Sequence, residues 1–187
     1  MVVKKSLIRK IILKKRLNFK FKNKKINYLN LIKLLKTATK KKNIGLYYPI
    51  GSEVSTIEII QYLRKKKYII SLPVLEKNSR MSFYVWNAKS PLKINHFGIP
   101  EPIKLKKITP STLVIPIVAF DDKLNRLGYG GGFYDRFISK LEKTKEILKI
   151  GLALSCQKIN KVPTNRFDKK MNYILTENKV YKWEYFS

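Results

Sequence analysis

The stretch Arg126-Leu-Gly-Tyr-Gly-Gly-Gly-Phe-Tyr-Asp135 sets four of the chain's eight glycines within five positions. Leu113 to Phe120, apolar throughout, runs into it. Phe133, Phe137, Ile138 and Leu141 follow at the spacing of one helix face. A strand apolar on both faces belongs in a parallel sheet covered by helices on both sides. Pro116 has no N–H for the ladder, so it marks a bulge or the end of regular pairing. Strand, glycine loop and helix together restrict the chain to α/β architectures, many of which hold a phosphate at such a loop.

The rest of the chain fits that restriction. Leu7, Ile8, Ile11 and Ile12 mark a basic amphipathic helix, and Tyr28, Leu31, Ile32 and Leu35 a second. Ile44 to Tyr48 is a short strand ended by Pro49 and Gly51. Ser55-Thr-Ile-Glu58 reads as a capping box that opens a helix with Ile57, Ile60 and Leu63 on one face. Tyr68 to Leu72 is a strand stopped by Pro73, and Met81 to Trp86 is another. Asn95 to Pro102 reads as loop, because two prolines and a glycine break a ladder. Ile147 to Leu154 and Ile174 to Thr176 complete the strands. Strands alternating with helices predict a three-layer α/β sandwich with a largely parallel central sheet, and 187 residues suit one domain, 1–187.

Charge is the unusual property. Lys+Arg number 41 against 12 Asp+Glu, a formal +29. Such a field attracts polyanions. The excess is mostly Lys, spread along the chain with much Ile and Asn, which reads as a bias of the coding sequence rather than a nucleic-acid surface. No apolar run approaches the ~20 residues of a membrane span, and the basic start has no signal-peptide core. A lone Cys156 rules out an internal disulfide and fits a reducing compartment such as the cytoplasm. Zinc sites rich in Cys and His lack the ligands.

The glycine loop is neither of the standard phosphate loops. No Gly-Lys-Ser/Thr follows the spacing of a P-loop, and Phe133 stands where a dinucleotide fingerprint needs its third glycine. What remains is either a plain turn or a nest of N–H groups at a helix N-terminus, with Arg126 able to fork onto a phosphate. Asp135 in the first turn of the helix either satisfies free N–H groups or binds Mg²⁺. Glu53 follows a strand end, where α/β ligands bind, or is a surface charge. His96 reads as a loop histidine, and Asp168 as a turn residue or a metal contact.

These residues resemble the 5-formyltetrahydrofolate cyclo-ligase family, also called 5,10-methenyltetrahydrofolate synthetases. Pro116-Ile-Val-Ala-Phe-Asp121 and Arg126 to Asp135 look like its signature, with Phe133 in place of a usual tyrosine. Lys5-Ser-Leu-Ile-Arg9, Tyr48-Pro49 with Glu53-Val-Ser-Thr56, Phe97-Gly-Ile-Pro-Glu-Pro102, Ile150-Gly-Leu-Ala-Leu154 and Val162-Pro163 to Asp168 match further motifs in order. Asn172 departs from a common Asp.

The resemblance implies an ATP- and Mg²⁺-dependent ligase that closes 5-formyltetrahydrofolate to 5,10-methenyltetrahydrofolate, releasing ADP and phosphate. By motif, Lys5, Arg9 and Arg126 would neutralise ATP phosphates, Lys5 and Arg126 also serving catalysis. The loop Leu127, Gly128, Tyr129, Gly130, Gly131, Gly132, Phe133 and Tyr134 would cradle the nucleotide. Asp135 and Asp168 would hold Mg²⁺, and Glu53 the pterin ring. Tyr134, Met81, Trp86 and Phe97 would wall the folate. The expected partner is this small molecule, carrying a polyglutamate tail if the Lys-rich surface has a use. A specific nucleic acid, a membrane and an oligomeric partner are not expected, so the chain should act as a monomer. The competing reading is a basic nucleic-acid-binding protein without catalysis.

Overall fold

The computed structural model describes residues 4–19, 26, 28–38, 42–87 and 89–182. Its centre is an eight-stranded sheet. In chain order the strands are β1 (Asn43–Gly45), β2 (Ile69–Glu76), β3 (Arg80–Val85), β4 (Leu92–Ile94), β5 (Pro100–Pro102), β6 (Lys107–Ile108), β7 (Thr112–Pro116), β8 (Ala119–Phe120), β9 (Arg126–Leu127), β10 (Leu148–Leu152), β11 (Tyr173–Leu175) and β12 (Val180–Lys182). The sheet runs β12-β11-β10-β7-β1-β2-β3-β6, while β4–β5 and β8–β9 are separate ribbons. From β11 to β2 every pair is parallel; β12, β3 and β6 add antiparallel edges.

Both faces are covered, as the continuous apolar strands require. On one face, Val114, Ile150, Ile44 and Ile70 pack with Leu31 and Leu35 of α2 (Tyr28–Ala38) and Ile60 and Leu63 of α3 (Ile57–Lys65). On the other, Leu113, Ile115, Phe83 and Ile174 pack with Ile138 of α4 (Phe133–Leu141). α1 (Lys5–Leu17) lies on a third cluster, where Ile12 meets Val118, Ala119, Leu127 and Val162. Its packed face differs from the expected one. Ile12 and Arg16 are buried, whereas Leu7 and Ile11 are exposed.

Three local expectations are corrected. Pro73 does not stop β2, which continues to Glu76. Past Ser71 the strand has lost β1 as a neighbour, and residues 73 and 75 direct their backbone groups to that vacant side. Leu75 N donates there to Glu101 Oε1 at 2.7 Å, so Pro73 forfeits no ladder bond. Asn95–Pro102 is partly a hairpin rather than all loop. Asn95 N donates to Ile99 O, which makes Ile94–Pro100 and Leu92–Pro102 the non-hydrogen-bonded pairs, where a proline costs nothing. The capping box is absent: Thr56 is the N-cap of α3, and its hydroxyl donates to Tyr47 O instead.

Pro116 does end β7, and the chain leaves the sheet to form the β8–β9 ribbon. Asp121, 2% exposed, ties that ribbon's turn. It accepts from Lys123 N and Asn125 N on one oxygen and from Val162 N and Asn125 Nδ2 on the other. The glycine loop is therefore launched from a fixed base.

Candidate active site

The chain order reverses between β1 and β7, which are adjacent although β2 lies on β1's other side. Ligands in open α/β sheets bind beyond the carboxyl ends of strands at such a switch point. A cavity of about 870 Å³ lies there. Its walls come from the segment after β1 (Tyr47 to Glu53), the ends of β2 and β7, the β4–β5 hairpin, the glycine loop and the N-terminus of α4. Lys5 and Arg9 of α1 and Asp168 of the C-terminal loop close it.

The glycine loop can take its path because two residues have positive φ. Gly130 sits at +111° and Gly132 at +64°, where it begins α4. Arg9 Nε donates to Gly128 O at 2.7 Å, so α1 grips the loop. Two ion pairs cross the cavity floor. Arg126 NH2 meets Asp135 Oδ1 at 2.7 Å, and Lys5 Nζ meets Asp168 Oδ2 at 2.6 Å. Asp135 Oδ1 also accepts from Lys169 N, and Asp168 Oδ2 from Asn165 N. Asp168 is thus a turn residue and a cavity residue at once. The second oxygens, Asp135 Oδ2 and Asp168 Oδ1, have no bond among the described residues. Arg126 Nε and Tyr134 Oη are buried without partners among the described residues. A buried polar atom left this way costs about 1–3 kcal/mol, so two of them in one cavity await a polar ligand.

At the other end Glu53 is half-buried. Its Oε2 accepts from Ile50 N at 2.9 Å, and the Tyr129 hydroxyl lies within electrostatic reach of it. Burial raises the carboxyl above its ordinary range, while Tyr129, the Ile50 N–H and Arg16 pull it back down. Burial also pushes the Tyr134 phenol well above its usual range, so it remains a neutral donor. Met81 and Phe97 complete an apolar wall, with Phe97 edge-on to Phe133 at 6.3 Å.

The comparisons with known proteins bear on the whole of this geometry. Residues 2–177 match the model of the 5-formyltetrahydrofolate cyclo-ligase family. The chain belongs to that family. A Haemophilus influenzae protein named 5-formyltetrahydrofolate cyclo-ligase is 39% identical over 134 residues, 68% of this chain and 71% of that one. A Mycoplasma genitalium protein of the same name is 32% identical over 162 residues, 83% and 88% of the two chains. The solved structure of Aquifex aeolicus 5,10-methenyltetrahydrofolate synthetase aligns with a TM-score of 0.76 at 30% identity, covering 95% of this chain and 92% of that one.

Of the residues the cyclo-ligase motifs single out, the cavity gathers Lys5, Arg9, Glu53, Met81, Phe97, Asp168 and all of Arg126 to Asp135. Trp86 is not among its walls. Its ring carries Arg64 at 4.2 Å, meets Tyr48 edge-on at 6.0 Å, and its Nε1 donates to Ser90 O. It supports a wall residue rather than forming the wall. His96 is exposed beside Phe97, outside the cavity. Asn172 exchanges hydrogen bonds with the backbone of Lys149 at the end of β10, a structural clamp that an amide fills.

Among the residues that escape sequence reasoning, three make buried polar contacts at the site. Tyr47 is buried in the cavity wall with its hydroxyl on Val54 O. Glu101 is buried at the hairpin, accepting from Leu75 N and Asn95 Nδ2. Arg16 is buried beneath Tyr129. Only Arg16 carries a legible signal: residues 5, 9, 12 and 16 recur at the spacing of a single helix face.

Proposed function

We propose that this chain closes 5-formyltetrahydrofolate to 5,10-methenyltetrahydrofolate with ATP, the glycine-loop end of the cavity taking the triphosphate and the Glu53 end the folate. The observation that carries the reading is one cavity with two chemically opposite ends. One end offers Lys5, Arg9, Arg126 and the glycine loop to an anion; the other offers a carboxylate beside an apolar wall. Membership of the 5-formyltetrahydrofolate cyclo-ligase family supports the folate half of this reading.

Each half follows from its chemistry. A formamide oxygen is a poor leaving group. Transfer of the γ-phosphoryl onto it gives an iminophosphate; N10 then attacks the activated carbon, loses its proton and expels phosphate as the ring closes. Phosphoryl transfer asks the protein for positioning and charge neutralisation. Lys5 and Arg126, now paired with carboxylates, would turn to the phosphates. Arg126 Nε and Tyr134 Oη, both without partners among the described residues, supply two more donors. Glu53 would accept the paired N–H groups of the 2-amino-4-oxo ring.

Mg²⁺ fits the residues present. Asp135 and Asp168 each have one oxygen engaged and one without a partner among the described residues. No trio of acidic, Cys or His side chains gathers among those residues. That suits an ion that takes one or two carboxylates and completes its shell with phosphate oxygens and water. Bound there, it would neutralise charge on the transferred phosphoryl group. The reading treats the chain as one catalytic unit working as a monomer. The assay is purified protein with Mg-ATP and 5-formyltetrahydrofolate, following the absorbance of the methenyl product. A flat trace at high enzyme concentration sinks the reading.

A further inference from the structure

Arg16 is 6% exposed and makes no contact with either expected ligand position, since it is not a wall of the cavity. It uses three nitrogens. Nε donates to Ser52 Oγ at 2.9 Å, NH1 to Ile117 O at 3.4 Å and NH2 to Tyr129 Oη at 3.0 Å. Its guanidinium also lies 5.8 Å from the centre of the Tyr129 ring. A guanidinium can only donate. The Tyr129 oxygen is therefore the acceptor in that contact, and its own proton is left free to turn to the Glu53 carboxylate, with which Tyr129 interacts electrostatically. Ser52 precedes Glu53 in the turn closed by Glu53 N on Ile50 O. Arg16 thus holds the Glu53 turn from two sides.

We propose that Arg16 is a positioning residue for the folate half of the site: by donating to Tyr129 and Ser52 it directs the Tyr129 proton onto Glu53 and fixes the carboxylate that receives the pterin ring. The inference rests on the cyclo-ligase reading. It also gives α1 a second task. Lys5 and Arg9 on the same helix face reach the phosphate end, so one rigid element sets the geometry of both substrates. Among the described residues, the titratable and charged groups that interact with Glu53 are Arg16 from α1, Tyr47 after β1, Tyr129 on the glycine loop and Tyr134 on α4. Arg16 is the sole cation among them, and both it and the Tyr129 hydroxyl favour the ionised carboxylate.

The test compares Arg16→Gln, Arg16→Lys, Tyr129→Phe and the Gln/Phe double variant, with ATP and 5-formyltetrahydrofolate varied separately. Losing a hydrogen bond to a charged group should raise the folate KM about tenfold in both Arg16→Gln and Tyr129→Phe. The ATP KM should stay near wild type, since neither change touches the backbone N–H groups the loop offers the nucleotide, the double variant should be no worse than Arg16→Gln alone, and Arg16→Lys should recover part of the loss. The acid limb of folate kcat/KM should move to higher pH in both single variants, which a merely structural residue would not produce. Equal rises in both KM values, additive losses, or an unmoved acid limb overturn the role. Should Arg16→Gln not fold, Tyr129→Phe decides, because it leaves Arg16 bonded to Ser52 and Ile117. A wild type that forms no methenyl product sinks the cyclo-ligase reading and this role with it; an active wild type with the adverse variant results sinks the role alone.

Discussion

Arg126 is the residue whose burial and bonding are most out of balance. Its side chain is 4% exposed, one NH2 is paired with Asp135, and Nε has no partner among the described residues. Arg126→Ala should lower kcat/KM about 10²–10³-fold, the cost of one preorganised donor to developing charge. It should also cost about 1–3 kcal/mol of stability, because Asp135 loses its cation but is itself 21% exposed and partly hydrated. Arg126→Lys separates the two effects: it keeps the charge opposite Asp135 and loses the fork, so melting should stay near wild type while turnover falls. Glu53 predicts the reverse pattern. Burial raises its pKa in the folded state, so the native protein holds that proton to higher pH than the unfolded chain. Stability then falls as pH rises through the folded pKa, since the native state binds more protons in that window. Glu53→Gln should therefore melt higher than wild type at neutral and alkaline pH, and the gap should narrow as pH falls and wild-type Glu53 takes up its proton. The folate KM should rise about tenfold or more, as a charged acceptor is lost. A variant that melts lower than wild type at every pH contradicts the burial argument.

At the scale of elements, legibility followed how local the determining interaction is. The apolar run into Pro116 predicted both a buried strand and its end, because both are properties of the strand's own side chains and its one missing N–H. The helix from Phe133 was equally local. Pro73 misled because its cost depends on which side of the strand has a neighbour, and that is set by β1, distant in sequence; Pro100 and Pro102 misled because their cost depends on which pairs of the hairpin carry hydrogen bonds, a matter of register rather than of composition. The face of α1 misled for the same reason. Leu7 and Ile11 are as apolar as Ile12, but only the stripe through Ile12 meets Val118 and Leu127. The glycine loop gives the element-scale prediction. Gly130 needs φ +111°, and a Cβ there would lie 3.4 Å from Arg9 Cζ. Gly130→Ala should cost about 1–3 kcal/mol through backbone strain. It should also push Arg9 off Gly128 O, raising the ATP KM while leaving the folate KM near wild type. A variant with both constants unchanged would show that the loop does not depend on that conformation.

For the molecule as a whole, the motifs located the glycine loop, Lys5, Arg9, Glu53 and Asp168 on the cavity, because each carries its chemistry with it, but gave no role to walls such as Ile50, Leu75, Arg136 and Ser139. They missed Tyr47, Glu101 and Arg16, whose roles arise from burial and from partners 7, 26 and 113 residues away. The net charge of +29 is the one global property the site does not consume. Its effect should be long-ranged and unspecific. Exposed lysines act on a distant anion through solvent, and the screening length is only about 8 Å at 0.15 M salt. Both substrates are polyanions, so the field should raise their encounter rate and then fade as salt is added. The prediction is that KM for ATP and for 5-formyltetrahydrofolate rises severalfold between about 0.05 and 0.5 M NaCl while kcat changes less than about twofold, since the buried Arg126–Asp135 pair is little screened. The same argument ranks the competing nucleic-acid reading. Counterion release alone gives binding that collapses by about 0.2 M salt. RNA held tightly above that concentration would mean that the lysines form a designed surface, and a second function would then have to be sought on it.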